Sequence, residues 1–244
     1  MKDVKIAVVG STGRTGRLVL NEGLRRGFTM TAFTRRPANL AGVPGLTAVV
    51  SGDARDLADV RRAVRGQDAV ISIVSSKGLG PTTVMSDVMR AEVAAMREER
   101  VRRLVVVSVS AIEGTRPWIL INIVRWMLRR PYADFGRMER LVRDSGLDWT
   151  IVRPPRLTNG RATGRVRSEA GVKELAHGPY TITRADLAAT LLDLAEATNH
   201  AGEVLLVSEA RSKGGSGHSS TARTDSKNAS VPPEGDASVP APYP

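Results

Sequence analysis

The chain has no cysteine, which excludes disulfides, thiolate catalysis and any thiolate-held metal. Its three histidines, His177, His200 and His218, lie far apart and make no metal-ligand spacing, so no metal is expected. Aromatic residues are scarce at 4%, too few to interleave with basic residues as in a single-strand nucleic-acid binder. No apolar run approaches the roughly 20 residues of a membrane span. Met1-Lys2-Asp3 leads straight into a strand with no signal segment, so a soluble, cytoplasmic protein is expected. Lysine is rare too: six of the 36 basic residues are lysine, and the arginines spread over nearly every segment. The net charge of +11 therefore reads as a dispersed arginine bias and not as a nucleic-acid footprint. Its positive field still favours a phosphate-bearing cofactor.

What the chain does have is concentrated at its start. Val4 to Val9 is an apolar strand, and it runs into Gly10-Ser11-Thr12-Gly13-Arg14-Thr15-Gly16 and then the helical Arg17-Leu18-Val19-Leu20. Strand, three-glycine turn and helix together make a dinucleotide pyrophosphate site. Gly10 permits the tight turn, Gly13 lets backbone approach a phosphate, and Gly16 lets the helix pack close. The helix start offers free N–H groups and a positive dipole end.

The second strand, Phe28 to Thr34, ends in Arg35-Arg36 where an NAD-specific site carries an acid for the ribose 2′-OH. A guanidinium binds a 2′-phosphate bidentately, so the expected cofactor is NADP(H). A third strand over 46–53 closes on Gly52-Asp53, and a helix follows from Leu57 to Val64. Asp53 stands either as an adenine contact or as that helix's N-cap. Asp68 to Ser75 reads as a central strand buried on both faces, with Ser75 and Ser76 bordering the cofactor. A helix opening at Pro81-Thr82-Thr83 carries Val84, Met85, Val88, Met89, Val93 and Met96 on one stripe, for core or dimer surface. Arg103 to Val109 is the fifth strand, delivering Ser108 and Ser110 to the ligand-binding edge of an open α/β sheet. The sixth, Leu147 to Val152, ends in Arg153-Pro154-Pro155; Arg153 and Pro154 join the cofactor-facing set. A late helix starts at Ile182 to Ala188, and Val204 to Val207 is a closing strand.

These alternations predict an α/β fold: a Rossmann-type doubly wound parallel sheet with helices on both faces. Residues 1–210 form its single domain, and residues 211–244, rich in Ser, Gly and Pro, form a disordered tail. The apolar segment 118–128 suits a substrate wall, a dimer face, a membrane-surface contact or plain core packing, and it is too short to span a bilayer.

Gly10-x-x-Gly13-x-x-Gly16, Gly52-Asp53, Gly66-Gln67-Asp68-Ala69-Val70-Ile71, Ser145 to Pro155 and Ile182-Thr183-Arg184-Ala185-Asp186 resemble the atypical short-chain dehydrogenase/reductases with an NAD(P)H-binding, NmrA-like domain. Residues 67–86 are similar to the biliverdin-IXβ reductases, also known as flavin reductases. The resemblance covers residues 4–207. It implies an NADPH site with Thr12, Gly13, Arg14 and Thr15 at the pyrophosphate, Arg35 at the 2′-phosphate, Asp53 at the adenine, Ser75 and Ser76 at the ribose, and Ser110 near the nicotinamide.

The wider dehydrogenase family uses Tyr-x-x-x-Lys as its acid/base device. Here Gly136 stands four residues after Tyr132, Arg184 four after Tyr180, and Tyr243 is one residue from the end. Carbonyl chemistry lacks its proton donor. Hydride transfer to a flavin or another planar conjugated acceptor needs less, with Ser110 and Tyr132 as the candidate catalytic groups. The alternatives are a non-catalytic, redox-sensing NADP-binding regulator of the NmrA kind, or an isomerase or epimerase on the same fold. A monomer or homodimer acting on a small molecule is expected.

Overall fold

The structure is a computed structural model, and it describes residues 4–46, 48–75, 82–109, 133–172 and 180–210. Its first half alternates strand and helix: β1 (Lys5–Val9), α1 (Arg14–Arg25), β2 (Thr29–Thr34), a short 3₁₀ turn (Pro37–Leu40), β3 (Ala48–Ser51), α2 (Leu57–Val64), β4 (Ala69–Ser72), α3 (Val84–Glu98) and β5 (Arg103–Val107). After it come helix α4 over 133–143, then β6 (Asp148–Arg153), β7 (Arg156–Thr158), β8 (Val166–Ala170), β9 (Thr181–Thr183), α5 (Arg184–Glu196) and β10 (Glu203–Glu209). Eight strands form one sheet in the order β3-β2-β1-β4-β5-β6-β10-β8, while β7 and β9 pair separately. Every ladder of the large sheet is parallel except β10 with β8.

Period-two alternation along the strands divides the apolar residues between two core layers. Ile6 and Val8 of β1 face one layer with α1 and α5, where Val19, Leu20, Leu187 and Leu191 pack. Ala7 and Val9 face the other, with Val60 and Val64 of α2, Met85 and Met89 of α3, and Met138 and Val142 of α4. The strands are buried on both faces, which explains their continuous apolar runs. The methionine stripe of α3 is core, although Val84, expected on it, is 36% exposed. Among the described residues no helix is long and apolar enough to cross a membrane.

The order reverses between β1 and β4, since β2 and β3 lie on one side of β1 and β4 and β5 on the other. Their carboxyl ends open the switch-point crevice. Several elements differ from expectation. The central strand stops at Ser72 rather than Ser75, and β7, β8 and β9 add an antiparallel edge and a small side ladder. The β8 segment Val-Arg-Ser-Glu-Ala carries charges suited to an edge and shows little apolar alternation. The segment 118–128 and the tail 211–244 lie outside the described residues.

Candidate functional site

The glycine turn sits at the crevice. Gly10 adopts φ +85°, a left-handed conformation that favours glycine. A Cβ there would strike the carbonyl oxygen of Ile73 just beyond β4, and one at Gly16 would strike the carbonyl of Gly10. These two absences let β1, β4 and α1 close together. Gly13 is exposed and serves as the N-cap of α1 with no side-chain cap bond, while its own N–H donates to the Gly10 carbonyl at 3.1 Å. No acid lies in the first turn of α1. Open N–H groups, a positive helix end and a backbone without a side chain fit a diphosphate. Around them Thr12 is half-buried, Arg14 exposed and Thr15 buried. Ser11 turns inward and donates to the Phe33 carbonyl at 2.8 Å, tying the turn to the end of β2.

Arg35 and Arg36 lie exposed just past β2, with the Arg36 N–H held by Thr34 Oγ1 at 3.0 Å. The next strand end carries Asp53. Asp53 is not the cap of α2: Asp56 is, its carboxylate accepting from the Asp59 N–H, because only position 56 directly precedes the first helical residue. Asp53 instead accepts two side-chain bonds from Arg55, at 2.6 and 3.1 Å, and one from its N–H. Those bonds, with the Arg35 charge nearby, hold its carboxyl at about 2, against a modest opposing effect of burial. Asp53 and Arg55 also line an open groove of about 760 Å³ between α2 and α3, whose wall includes Asp87 and Arg90 but none of residues 10–16.

Ser75 is exposed beyond β4 and Pro154 is buried beyond β6. Ser76, Ser110 and Tyr132 lie outside the described residues. Ser108 and Arg153 differ from the cofactor-facing expectation. Both are buried, and both meet Glu139 of α4: Oε1 accepts from Ser108 Oγ at 2.6 Å and Arg153 Nε at 2.9 Å, and Oε2 accepts from Arg153 Nη2 at 2.5 Å. Charge pairing wins over solvent access here. These side chains brace the carboxyl ends of β5 and β6 from within.

Two buried carboxylates hold neighbouring segments in place, and neither was given a role from the sequence. Asp134 of α4, fully buried, accepts from the N–H groups of Met85 and Ser86 and from Ser86 Oγ at 2.6 Å, so it caps α3 across space. Asp186 accepts from the N–H groups of Thr163 and Gly164 and from the hydroxyls of Thr163 and Thr183, pinning the loop after β7 to α5. Burial opposes ionisation of Asp186, but those donors outweigh it and lower its pKa. Thr183 caps α5 in return, a Thr-x-x-Asp capping box readable from the sequence.

The NAD(P)H-binding family profile matches residues 10–198. A (4-alkanoyl-5-oxo-2,5-dihydrofuran-3-yl)methyl phosphate reductase from Streptomyces griseus is 31% identical over 208 residues, spanning 83% of this chain and 67% of that protein. ChuY, an anaerobilin reductase from Escherichia coli O157:H7, superposes with a TM-score of 0.71 at 22% identity, over 84% of this chain and 97% of its own. A Veillonella parvula short-chain dehydrogenase/reductase in complex with NADP superposes with a TM-score of 0.70 at 19% identity, over 84% and 94%. The two structural likenesses speak to the fold, which is Rossmann. With a match that runs from the glycine turn through α5, the chain belongs to the NAD(P)H-binding family and is an NAD(P)H-dependent reductase.

Proposed function

We propose that this chain takes NADPH as its cofactor and directs hydride to a flavin or other planar conjugated acceptor. The observation that carries this reading is the missing Tyr-x-x-x-Lys pair in a reductase whose glycine turn is intact. NADPH, when bound, supplies the hydride. The protein's part is to bind and orient: the α1 start and residues 12–15 hold the diphosphate, Arg35 and Arg36 the 2′-phosphate, Asp53 the adenine, and Ser75 and Ser76 the ribose. An electron-poor acceptor takes its proton from water afterwards, so a strong protein acid is not needed. The names of two similar proteins, an anaerobilin reductase and a reductase of an unsaturated oxo-dihydrofuran, support a conjugated acceptor.

Cofactor choice rests on the two exposed arginines that follow β2, where an NAD-specific site carries an acid in that strand end itself. NADPH is expected to bind more tightly than NADH by roughly 1 to 3 kcal/mol, the scale of hydrogen bonds to a charged group. Arg35→Ala removes most of that difference, read by titrating both cofactors against each protein; equal wild-type affinities defeat the assignment.

Steady-state NADPH oxidation with free flavin tests the chemistry. Ser110→Ala and Tyr132→Phe are each expected to cost less than the roughly 10²- to 10⁴-fold lost with a general acid or base. The wild-type rate should change little between about pH 6 and 8, because none of the assigned site groups normally titrates there. A collapse of the maximal rate in Tyr132→Phe with cofactor affinity intact would mean an acid/base enzyme with a relocated donor.

A further inference from the structure

Helices α1 and α5 pack side by side on one face of the sheet. Their carboxyl ends are stitched by opposite charges: Arg26, the cap residue of α1, bonds Asp193 near the end of α5 at 2.5 Å and Glu22 at 2.8 Å. Run back from that joint, the two helices have similar lengths, so their first residues come at the same end of the pair, the end where α1 leaves the glycine turn. Those residues are Arg14 and Arg184. One end of the helix pair is thus neutralised, and the other presents two like charges.

Among the described residues neither guanidinium has a carboxylate partner. Arg184 is half-buried, and its Nη1 donates to two neutral acceptors, Asn159 Oδ1 at 2.7 Å and the Leu157 carbonyl at 3.3 Å. These fix its direction and leave its charge uncompensated. The nearest acid on its own helix, Asp186, is engaged by Thr163, Gly164 and Thr183. Burial, and after it the charge of Arg14, lowers the Arg184 pKa, as expected of cations held close without a counterion. An anion between the two guanidinium groups would offset that repulsion.

We propose that Arg14 and Arg184 form a two-guanidinium site for an oxyanion, the phosphate or carboxylate group of a substrate lying over the crevice. The proposal rests on the reductase reading and narrows it: the preferred acceptor is anionic. The same chemistry would also receive the cofactor's own diphosphate, so the test separates the two sources.

FMN and riboflavin share one ring system and differ by a phosphate. Each is titrated by its fluorescence against the full chain saturated with NADP⁺, a measurement that needs no turnover and so stands even if flavin proves not to be reduced. Wild type is expected to bind FMN at least about tenfold more tightly than riboflavin. Arg184→Gln erases that preference, Arg184→Lys keeps part of it, and NADP⁺ affinity holds in both. Should NADP⁺ affinity fall about tenfold in Arg184→Gln with the flavin ratio unchanged, the oxyanion is the cofactor's diphosphate. If Arg184→Gln fails to fold, Asn159→Ala, which removes the exposed acceptor that aims the Arg184 guanidinium, lowers the preference in the same way. An unchanged FMN-to-riboflavin ratio together with unchanged NADP⁺ affinity in these variants overturns the site.

Discussion

Replacing Glu139 with alanine is expected to remove about 3 to 5 kcal/mol of folding stability, the range for deleting one partner of a buried ion pair. Glu139 and Arg153 are each about 1% exposed, so the variant takes a buried carboxylate away from a buried guanidinium. Ser108 loses its acceptor as well. Arg143 also reaches Glu139 at 3.0 Å, but its side chain is 38% exposed, and Arg143→Ala should cost under about 1 kcal/mol. The double variant Glu139→Leu, Arg153→Met should recover most of the loss, because a well-packed apolar pair avoids the desolvation that both charges suffer. Urea denaturation of the four proteins decides it, and a loss under about 1 kcal/mol for Glu139→Ala would show that the pair is not what holds this region. The consequence extends to the site. Ser108 lies just past β5, and Arg153 is the last residue of β6, so loosening here reaches the carboxyl ends of two central strands.

That pair marks where sequence reading runs out. The strand, glycine turn and helix at the start were legible because strand period, glycine spacing and helix entry agree within a dozen residues, and α2 fell on Leu57–Val64 as expected because its apolar spacing is local, although its cap is Asp56 and not Asp53. Glu139 and Arg153 are 14 residues apart, and Asp134 caps α3 from 49 residues away. Nothing in the sequence near either partner signals such a meeting. Ser108 read as a ligand-facing hydroxyl because strand ends usually deliver side chains to the crevice. A buried carboxylate on α4 claimed it instead. The strands β7, β8 and β9 escaped notice because they are three to five residues long and form an edge and a side ladder where apolar alternation is weak. One signal was available and unread: Glu92 occupies the same helical stripe as Met85, Met89 and Met96, a charge on an otherwise apolar face.

That glutamate gives the other large effect. Glu92 is fully buried on α3, its Oε1 accepts from Ser72 Oγ at 3.0 Å, and its Oε2 has no hydrogen-bond partner among the described residues. Burial pushes its pKa up from 4.5 to about 8, and the single bond from Ser72 opposes only part of that. Below about pH 4.5 the group is protonated in both folded and unfolded chains and has no effect on the balance. Between there and about pH 8 the unfolded chain releases the proton and the folded chain keeps it, so stability falls as pH rises, by about 1.4 kcal/mol per unit. The accumulated cost at neutral pH is on the order of 3 kcal/mol. Glu92→Gln keeps the shape and cannot ionise, so its stability should be nearly flat over that window as far as this group is concerned. At pH 5 the variant should match the wild type or fall slightly below it, since an amide in this pocket also lacks a full set of partners. At pH 8 it should be clearly the more stable protein. Urea midpoints at both values make the comparison; a difference between the two proteins that does not change with pH would mean that Glu92 is not buried as a neutral acid. The expected crossing would identify a carboxyl kept protonated beneath β4, the strand that backs the Gly10 turn.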